Sequence, residues 1–522
     1  MILLFSTVSN CGDEKKEKTQ ELAEKGGGEE QLYRPNFHFT PKNNWMNDPN
    51  GMFYLDGAYH LFFQYYPDDN VWGPMHWGHA VSKDLVNWDE KEIALFPDSL
   101  GYIFSGSAVV DQLNTSGFGN GTIPPVISIF TYHDPKGEQE DRIDFQYQAI
   151  AFSNDKGESW TKYEGNPVLP NPGIKDFRDP KVVWDARRQQ WVMALATYSE
   201  TYFYGSKDLK SWSFLSSFGK DLGAHGGVWE CPDLFPMRVT GSEETKWVLI
   251  QSLNPGSANG GSGTQYFIGD FDGKTFSLDP DFKNQLDQHK AIWLDFGRDN
   301  YAGVTWSNIP KEDGRTLFIG WMSNWDYAQV VPTETWRSAM TIARELILEK
   351  DSLGYKLKSI PAREFMDHVN YKPEQRNLEI DGPFKIAGPV EANLSNAVIE
   401  ISFKTDTKAN YTFELSNDFG NILKFGLDNQ KQSLFIDRQN SGKTEFSQKF
   451  ASSISYGQLR KMEGELELLI ILDKTSIELF AEGGGTVMTE IFFPDEPMTH
   501  LTLTASDNTL VIKSVAVGQL ER

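Results

Sequence analysis

The sequence predicts an all-β fold, a five-bladed β-propeller followed by a C-terminal β-sandwich. Three observations support this prediction. Short alternating or aromatic runs separated by turn residues fill residues 35–345, a turn-plus-tryptophan unit recurs among them, and the composition changes near residue 372. At 522 residues the chain is also too long for one ordinary hydrophobic core, so two folded domains are expected.

The composition suits a β-rich protein with a neutral ligand. The chain has 15 Trp, 19 Tyr and 35 Phe, which favour strands and also suit sugar-binding surfaces. Its 49 basic and 73 acidic residues give a net charge of −24, which would repel nucleic acid and anionic lipid but not a carbohydrate. No apolar run approaches the roughly 18–20 residues of a membrane-spanning helix. We therefore expect no nucleic acid partner and no integral membrane span.

Residues 1–34 are predicted to be a signal remnant and a disordered tether. Five apolar residues, a few small polar ones and then Cys11 resemble the end of a bacterial lipoprotein signal, although the apolar part is short and a basic leader is absent. An ordinary disordered leader is the alternative. The acidic, lysine-rich run after Cys11 cannot bury a core. Cys11 is thus a lipidation candidate, and the prediction is an exported protein, lipid-anchored at the bacterial cell surface or in the periplasm.

Residues 35–345 are predicted to form the propeller. The run GMFYLDGAYHLFFQY reads as two strands around an Asp-Gly turn, a strong hairpin signal. A turn-plus-aromatic unit recurs with its ring at Trp88, Trp160, Trp212 and, in a degenerate copy, Phe276. A period of about 60 residues over about 310 residues favours five four-stranded blades. The repeated tryptophans are predicted to be blade core rather than ligand contacts.

The second domain is predicted over residues 372–522, after a linker at 346–371. Tryptophan disappears from this part, and runs such as AVIEISFKT and LTLTAS alternate with polar turns. This alternation is typical of a β-sandwich.

Three acids in the first domain are candidates for chemistry. They are Asp48 in WMNDPNG, Asp179 in DFRDPKV and Glu230 in VWECPDLF, each close to a proline where a strand-like run stops. Any one of them alone would be interpreted as a turn or cap residue. Successive blades of a propeller start near its central axis, so acids that are distant in the chain can converge there.

Glycoside hydrolysis is the reaction that needs such a set. One carboxylate attacks the anomeric carbon or activates water, while a protonated acid serves the leaving oxygen, so the two need different surroundings. Apolar neighbours such as Trp229 predict that Glu230 stays protonated. Polar neighbours, Asn47 and Asn50, predict that Asp48 stays ionised as the nucleophile.

The motifs WMNDPNG, FSGS, FRDP, ECPDLF and GWMSNW, in this order, resemble the motif series of glycoside hydrolase family 32, the invertases, inulinases and levanases. The run SIELFAEGGGTVMTEIFFP also resembles a signature of that family's C-terminal sandwich. The resemblance covers nearly the whole chain. It implies a five-bladed propeller plus sandwich and a retaining double displacement on β-fructofuranosides.

The resemblance also implies a role for each motif residue. Asp48 would be the nucleophile, and Glu230 the general acid and then the base. Asp179 would hold fructose hydroxyls and stabilise the transition state. Arg178 would pair with the nearby acids, and Cys231 would tune the pKa of Glu230.

The same resemblance implies a pocket for the terminal fructosyl unit. Aromatic faces against sugar C–H groups, with amides that reach hydroxyls, suit a small polar ring. The predicted lining residues are Asn47, Gln64, Trp72, Phe104, Ser105 and Trp321. The segment LDFGRDNYAG, with Asp295, Asp299 and Tyr301, resembles a family segment near the pocket rim.

We expect no cofactor and no metal site. Two cysteines cannot build a multi-thiolate site. His76 and His79 lie close together in HWGHA but lack a third ligand pattern, so packed or hydrogen-bonded histidines are favoured.

The leading hypothesis is therefore a fructan β-fructosidase acting on levan or inulin, and on sucrose. An endo-levanase or a fructosyltransferase would use the same acids. A related family of inverting five-bladed arabinan-cleaving enzymes is disfavoured by WMNDPNG. From another class, the chain could be a non-catalytic fructan-binding lipoprotein, but all three acids are present.

Overall fold

The computed structural model describes residues 32–121, 123–406, 408–460 and 464–522. Cys11 and most of the predicted tether lie outside the described residues. Nearly all regular structure is β-strand, which confirms the all-β prediction.

Five antiparallel sheets form the blades of a propeller, and in each of them neighbouring strands are mostly consecutive in the chain. The inner strands are buried along almost their whole length, as in Val126–His133 and Gln190–Thr197, because both of their faces pack against adjacent blades. The first blade contains β1 (Asn44–Leu55), β2 (Ala58–Tyr66), β3 (His76–Ser82) and β4 (Trp88–Glu90), and the second contains β5 (Tyr102–Val110), β6 (Val126–His133), β7 (Gln146–Ser153) and β8 (Thr161–Lys162). The third contains β9 (Phe177–Asp185), β10 (Gln190–Thr197), β11 (Glu200–Ser206) and β12 (Ser213–Phe218), and the fourth contains β13 (Val228–Arg238), β14 (Thr245–Asn254), β15 (Gly263–Phe271) and β16 (Phe276–Leu278). The fifth contains β17 (Tyr301–Thr305), β18 (Thr316–Met322), β20 (Ala339–Met340), β21 (Arg344–Asp351) and β22 (Gly354–Pro361).

The blades close into a ring around their first strands. Strands β1, β5, β9, β13 and β17 contact one another around the axis. A short strand, β19 (Trp336–Arg337), runs parallel to β1 and pairs Trp336 with Asn44, which joins the last part of the ring to the first blade. The five-bladed prediction is confirmed.

The recurring sequence unit is the turn between the third and fourth strands of a blade. In three copies an aspartate accepts hydrogen bonds from the backbone N–H groups two and three residues further on, as an Asx turn does, and in the other copy Asp155 accepts from the N–H of Ser159, four residues on. The four aspartates are Asp84, Asp155, Asp208 and Asp272. The tryptophans that follow pack, partly buried, against blade cores, as the sequence predicts.

The C-terminal domain is a sandwich of two antiparallel sheets with an apolar core between them. In one strand, Tyr411, Phe413 and Leu415 alternate inward, which is the pattern that predicted this domain. The first sheet contains β23 (Val369–Tyr371), β24 (Gln375–Asp381), β26 (Asn396–Thr405), β31 (Gly464–Asp473), β32 (Ser476–Ala481), β33 (Thr486–Ile491) and β35 (Thr509–Leu520), and the second contains β25 (Phe384–Ala387), β27 (Tyr411–Ser416), β28 (Ile422–Asp428), β29 (Ser433–Asn440), β30 (Ser455–Gln458) and β34 (His500–Ala505).

Helices are few and short. The described chain has α1 (Pro135–Gln139), α2 (Pro280–His289), α3 (Arg363–Asp367) and a 3₁₀ turn (Ala328–Val330). Asp279 caps α2 by accepting from the backbone N–H of Asp281. None of the helices in the described part of the chain has the length and apolar character of a membrane span.

Residues 346–371, predicted as a linker, are not an irregular connection. Residues 346–361 continue β21 and form β22, which complete the fifth blade, and α3 follows. The exact domain limits remain a prediction, but these strands pair within the propeller because their alternating residues supply the outer half of its last sheet.

Buried ion pairs join the two domains. Arg344 of the fifth blade lies between Asp295 at 3.0 Å and Glu478 of the sandwich, and all three are almost fully buried. His38, which precedes the first blade, contacts Asp473 at 2.9 Å and Glu478 at 2.8 Å.

Candidate functional site

A cavity of about 490 Å³ opens at one end of the propeller axis. Early residues of β1, β5, β9 and β13 line it together with residues from other strands and loops, and the fifth blade contributes Trp325 and Gln329, so all five blades take part. All three predicted catalytic acids, Asp48, Asp179 and Glu230, line this cavity. The structure therefore brings together acids that are far apart in the sequence.

Each axial strand loses regular pairing where it reaches the cavity. The ladder shifts register next to the site residues in all five blades, at Met46/Pro49, Ile103/Gly106, Arg178/Lys181, Glu230/Asp233 and Tyr301/Val304. A bulge re-aims side chains, so neighbouring residues can face the same space. Asp179 and Cys231 have positive φ angles of 62° and 47°, a conformation that non-glycine residues adopt rarely.

Asp48 is held by uncharged groups. Asn47 Nδ2 donates to its Oδ1 at 3.0 Å, and Ser105 Oγ donates to its Oδ2 at 2.9 Å. Asn50, predicted as a further partner of the carboxylate, donates instead to the Asp48 backbone carbonyl at 3.0 Å. Burial raises the pKa of Asp48, and the charge of Glu230 adds to this, while the hydrogen bonds from Asn47 and Ser105 lower it.

Asp179 lies deeper and contacts the fourth blade. Its Oδ2 accepts from the Cys231 backbone N–H at 3.1 Å, and Arg178 Nε lies 3.9 Å from the same oxygen. Burial raises the pKa of Asp179 to about 7, against the opposing effect of Arg178.

Glu230 has charged and polar partners rather than the apolar surroundings predicted from its chain neighbours. Arg178 Nη2 donates to its Oε1 at 2.8 Å, and the Tyr301 hydroxyl bonds its Oε2. Trp229 is fully buried and packs against Phe267 in the fourth blade. The prediction about the surroundings of Glu230 is wrong because adjacent residues of a strand face opposite sides.

Cys231 is a buried free thiol between two of the acids. Its Sγ lies 3.7 Å from Asp48 Oδ2 and 3.7 Å from Asp179 Oδ2. Burial raises its pKa well above the usual value, and the acids add to this, so the thiol stays neutral. The predicted influence on Glu230 would have to act at longer range, since its contacts are to the two aspartates.

Most of the residues predicted to bind the sugar line the cavity. The cavity is lined by Asn47, Gln64, Trp72, Phe104, Ser105 and Arg178. Trp321 does not line it: this ring is fully buried, and Trp325 of the same GWMSNW motif lies in the wall, 5.0 Å away between ring centroids. Trp321 lies within β18, whereas Trp325 follows the end of that strand. The position of each tryptophan relative to the strand end is therefore the signal that could have distinguished the buried ring from the wall residue.

Sequence reasoning missed other wall residues because most belong to no motif, and because Asp176 and Val228, which begin DFRDPKV and VWECPDLF, were given no role. They include His133, Glu138, Gln146, Lys175, Asp176, Tyr198, Val228 and Gln329. His133 ends β6 and Gln146 begins β7, and these two residues are paired across the strands. Only the blade geometry puts them beside the acids.

The remaining candidates have structural contacts. Tyr301 bonds Glu230, but Asp295 accepts from Thr489 and Asp299 bonds Arg438, both in the sandwich. His79 Nε2 lies 3.0 Å from His60 Nδ1 in the first blade. His76 Nδ1 donates a hydrogen bond to the Pro74 carbonyl oxygen. Within the described residues, no group of three or more His, Cys, Asp or Glu side chains is arranged to hold a metal ion.

Comparison with known proteins gives a consistent result. The family model "Glycosyl hydrolases family 32 N-terminal domain" matches residues 38–361, and "Glycosyl hydrolases family 32 C terminal" matches residues 366–519. The chain is 46% identical to a levanase from Bacillus subtilis over 94% of its own length and 71% of that protein.

Two solved structures have a similar fold. The exo-inulinase from Aspergillus awamori has a TM-score of 0.85 and 36% identity, covering 95% of this chain and 99% of that one. The fructofuranosidase from Schwanniomyces occidentalis complexed with fructose has a TM-score of 0.83 and 34% identity, with the same coverage.

Proposed function

Because the chain belongs to glycoside hydrolase family 32, we propose that it hydrolyses β-D-fructofuranosidic bonds of levan or inulin, and of sucrose, with release of fructose. The observation that carries this proposal is the meeting of Asp48, Asp179 and Glu230, from three blades, in one cavity. Similarity to a levanase and an exo-inulinase supports a fructan substrate.

In the proposed reaction, Asp48 attacks the fructosyl anomeric carbon while Glu230 protonates the departing glycosidic oxygen. Water then attacks the fructosyl-enzyme ester, and Glu230 takes its proton, so configuration is retained. Asp179, deep in the cavity, accepts from fructose hydroxyls as positive charge develops on the ring.

Glu230 must keep its orientation in both protonation states. Arg178 is a permanent donor to one oxygen, and the Tyr301 hydroxyl can donate to a carboxylate or accept from a carboxylic acid at the other. These two partners fit a residue that acts first as an acid and then as a base.

The wall supports recognition of a small polar ring. Asn47, Gln64 and Ser105 supply hydrogen-bonding groups, while Trp72 and Phe104 supply aromatic surface. An aromatic wall with few polar groups orients a sugar and excludes water. Trp325 takes the place that the sequence assigned to Trp321.

The test is to incubate the protein with sucrose, inulin and levan and to resolve the products with time. Free fructose alone at early times indicates exo action, a ladder of oligosaccharides indicates an endo-levanase, and elongated products indicate fructosyl transfer. No release from any of the three would overturn the proposal and favour a binding protein. NMR in D₂O, which identifies the first anomer formed, tests retention.

We also propose export with attachment to lipid through Cys11. The support is the sequence around Cys11 and the extracellular description of similar exo-inulinases. Expression in a bacterium followed by detergent phase partition tests attachment. Cys11→Ala should move the protein from the detergent phase to the aqueous phase, and an unchanged partition would contradict the anchor.

A further inference from the structure

A chain of hydrogen bonds along one wall of the cavity ends on Glu230. Arg178 Nη2 donates to Glu230 Oε1 at 2.8 Å, and Arg178 Nη1 donates to Gln146 Oε1 at 3.4 Å. Gln146 Nε2 lies 3.3 Å from His133 Nδ1, and His133 Nε2 lies 3.0 Å from Glu138 Oε2. The last three residues belong to no catalytic motif.

The donors and acceptors fix the direction of each hydrogen bond between Glu230 and Glu138. A guanidinium has only donors, so Gln146 must turn its carbonyl oxygen to Arg178 and its amide nitrogen to His133. His133 must then accept at Nδ1 and carry its proton on Nε2, where it donates to Glu138. Only a neutral imidazole satisfies all these contacts.

The surroundings of His133 hold the ring in this position. Its side chain is buried, with 3% of the residue exposed, and it stacks on the wall residue Phe104 with centroids 4.3 Å apart and planes 10° apart. The rings of Tyr102 and Phe145 lie 6.0 and 5.3 Å from it.

The charged groups that face His133 are Glu138, Asp134 and Arg178. Burial lowers the pKa of His133, Glu138 opposes this, Arg178 lowers the pKa further and Asp134 raises it. The net direction is downward, which favours the neutral ring that the geometry requires.

We propose that His133, in its neutral Nε2–H form, is a positioning residue for the proton donor Glu230, acting through Gln146 and Arg178. This inference rests on the proposed function of the cavity. A proton on Nδ1 would point at the Gln146 NH₂ group, so the side-chain amide of Gln146 would have to flip and turn its oxygen to His133. Its NH₂ group would then meet the Arg178 N–H groups, and Arg178 would lose its support.

The first test replaces His133 by Phe, which keeps the ring on Phe104 but removes both hydrogen bonds. We expect kcat on sucrose to fall about 10- to 100-fold, the size of effect that misplacement of a catalytic group produces. The loss on p-nitrophenyl β-fructofuranoside should be smaller, because this leaving group needs less protonation.

The matched control is His225→Phe. The His225 ring also stacks on an aromatic residue, Trp229, at 5.0 Å and 13°, and bonds the Gly219 carbonyl, but it does not line the cavity. We expect its kinetics to equal those of the wild type. Equal losses on both substrates for His133→Phe, or losses no greater than in the control, would overturn the inference.

The second test does not depend on folding of a variant at His133. In the wild type, ¹⁵N spectra of labelled histidine should show His133 as the Nε2–H tautomer, and an Nδ1–H form would overturn the inference. Glu138→Gln should lower the pKa of His133, followed by its ¹⁵N shifts, because the carboxylate that opposes the effect of burial is lost; an unchanged pKa would contradict this. A wild type without fructose release would instead overturn the proposed function itself.

Discussion

The three acids of the cavity share one cluster but have different partners. Asp48 is bound by an amide and a hydroxyl, Asp179 by a backbone N–H, and Glu230 by a guanidinium and a phenol, while the Cys231 thiol lies between the two aspartates. Arg178 is the positive charge in direct contact with Glu230, while burial raises the pKa of both aspartates. The charge of Asp48 also raises the pKa of Asp179, so the titrations of the two aspartates are coupled, and pH profiles will report the pair.

Asp48→Asn should abolish turnover while preserving the fold, because the amide keeps the shape of the side chain but is not a nucleophile. We expect kcat on sucrose to fall at least about 10⁴-fold, as for other catalytic nucleophiles. Calorimetry with fructose checks that the cavity is intact. The control is Asp89→Asn, at an exposed side chain of the same blade. A rate near that of the wild type would sink the nucleophile assignment.

Glu230→Gln should slow poor leaving groups far more than activated ones, since proton donation matters most for the former. The amide can still bond Arg178 and Tyr301 but cannot transfer a proton. The measurement is kcat on sucrose and on p-nitrophenyl β-fructofuranoside in parallel. Equal losses on the two substrates would contradict the role of Glu230 as acid.

At the scale of the element, the innermost strands combine regular pairing with local bulges. In an unbroken strand, successive side chains face opposite sides, so Arg178 and Asp179 could not both reach the cavity. The register shifts in β9 and β13, with positive φ at Asp179 and Cys231, allow this. The outer turns serve a different purpose, since the hydrogen bonds of their aspartates hold the connection to the fourth strand in the first four blades.

Asp208→Ala should destabilise the third blade without a change in kcat. The carboxylate accepts from the backbone N–H groups of Lys210 and Ser211 at 2.9 and 2.7 Å, and these bonds would be lost. We expect a loss of about 1–2 kcal/mol in the free energy of unfolding. Urea unfolding measures it, with Asp221→Ala, at an exposed residue, as the control. A stability equal to that of the control would show that the turn bonds contribute nothing.

At the scale of the whole molecule, a buried charged network joins the segment before the first blade, the fifth blade and the sandwich. His38 bonds Asp473 and Glu478, and Glu478 also pairs with Arg344. Burial lowers the pKa of His38, but the bonds to Asp473 and Glu478 outweigh this and raise it to about 9. A charged imidazole is thus part of the interface at neutral pH.

This network predicts a loss of stability in alkali. The folded pKa of His38 lies above its unfolded value of 6.5, so its contribution is complete below about pH 6.5 and disappears as pH rises to about 9. The loss should be on the order of 3 kcal/mol. Urea unfolding between pH 6 and 10 measures it. His38→Gln should weaken this dependence, while His289→Gln, at an exposed residue, should keep it. Parallel curves for all three proteins would refute the role of His38.

The sequence alone determined the class of fold, the number of blades and the identity of the three acids. Strand alternation, the recurring Asp turn and the motif around each acid are local signals, because they depend on which residues follow one another. The site residues that share a motif with an acid, such as Asn47 and Arg178, were accessible in the same way.

The tertiary structure decided which side chains meet. Glu230 is bound by Arg178 and Tyr301 instead of the expected apolar neighbours. Trp325 lines the cavity instead of Trp321, and Gln146 and His133 also line it. Some of these contacts join strands of different blades. Others depend on which side of a strand a residue faces at a bulge. Order along the chain does not encode such proximity, because it arises only when the blades close around a common axis.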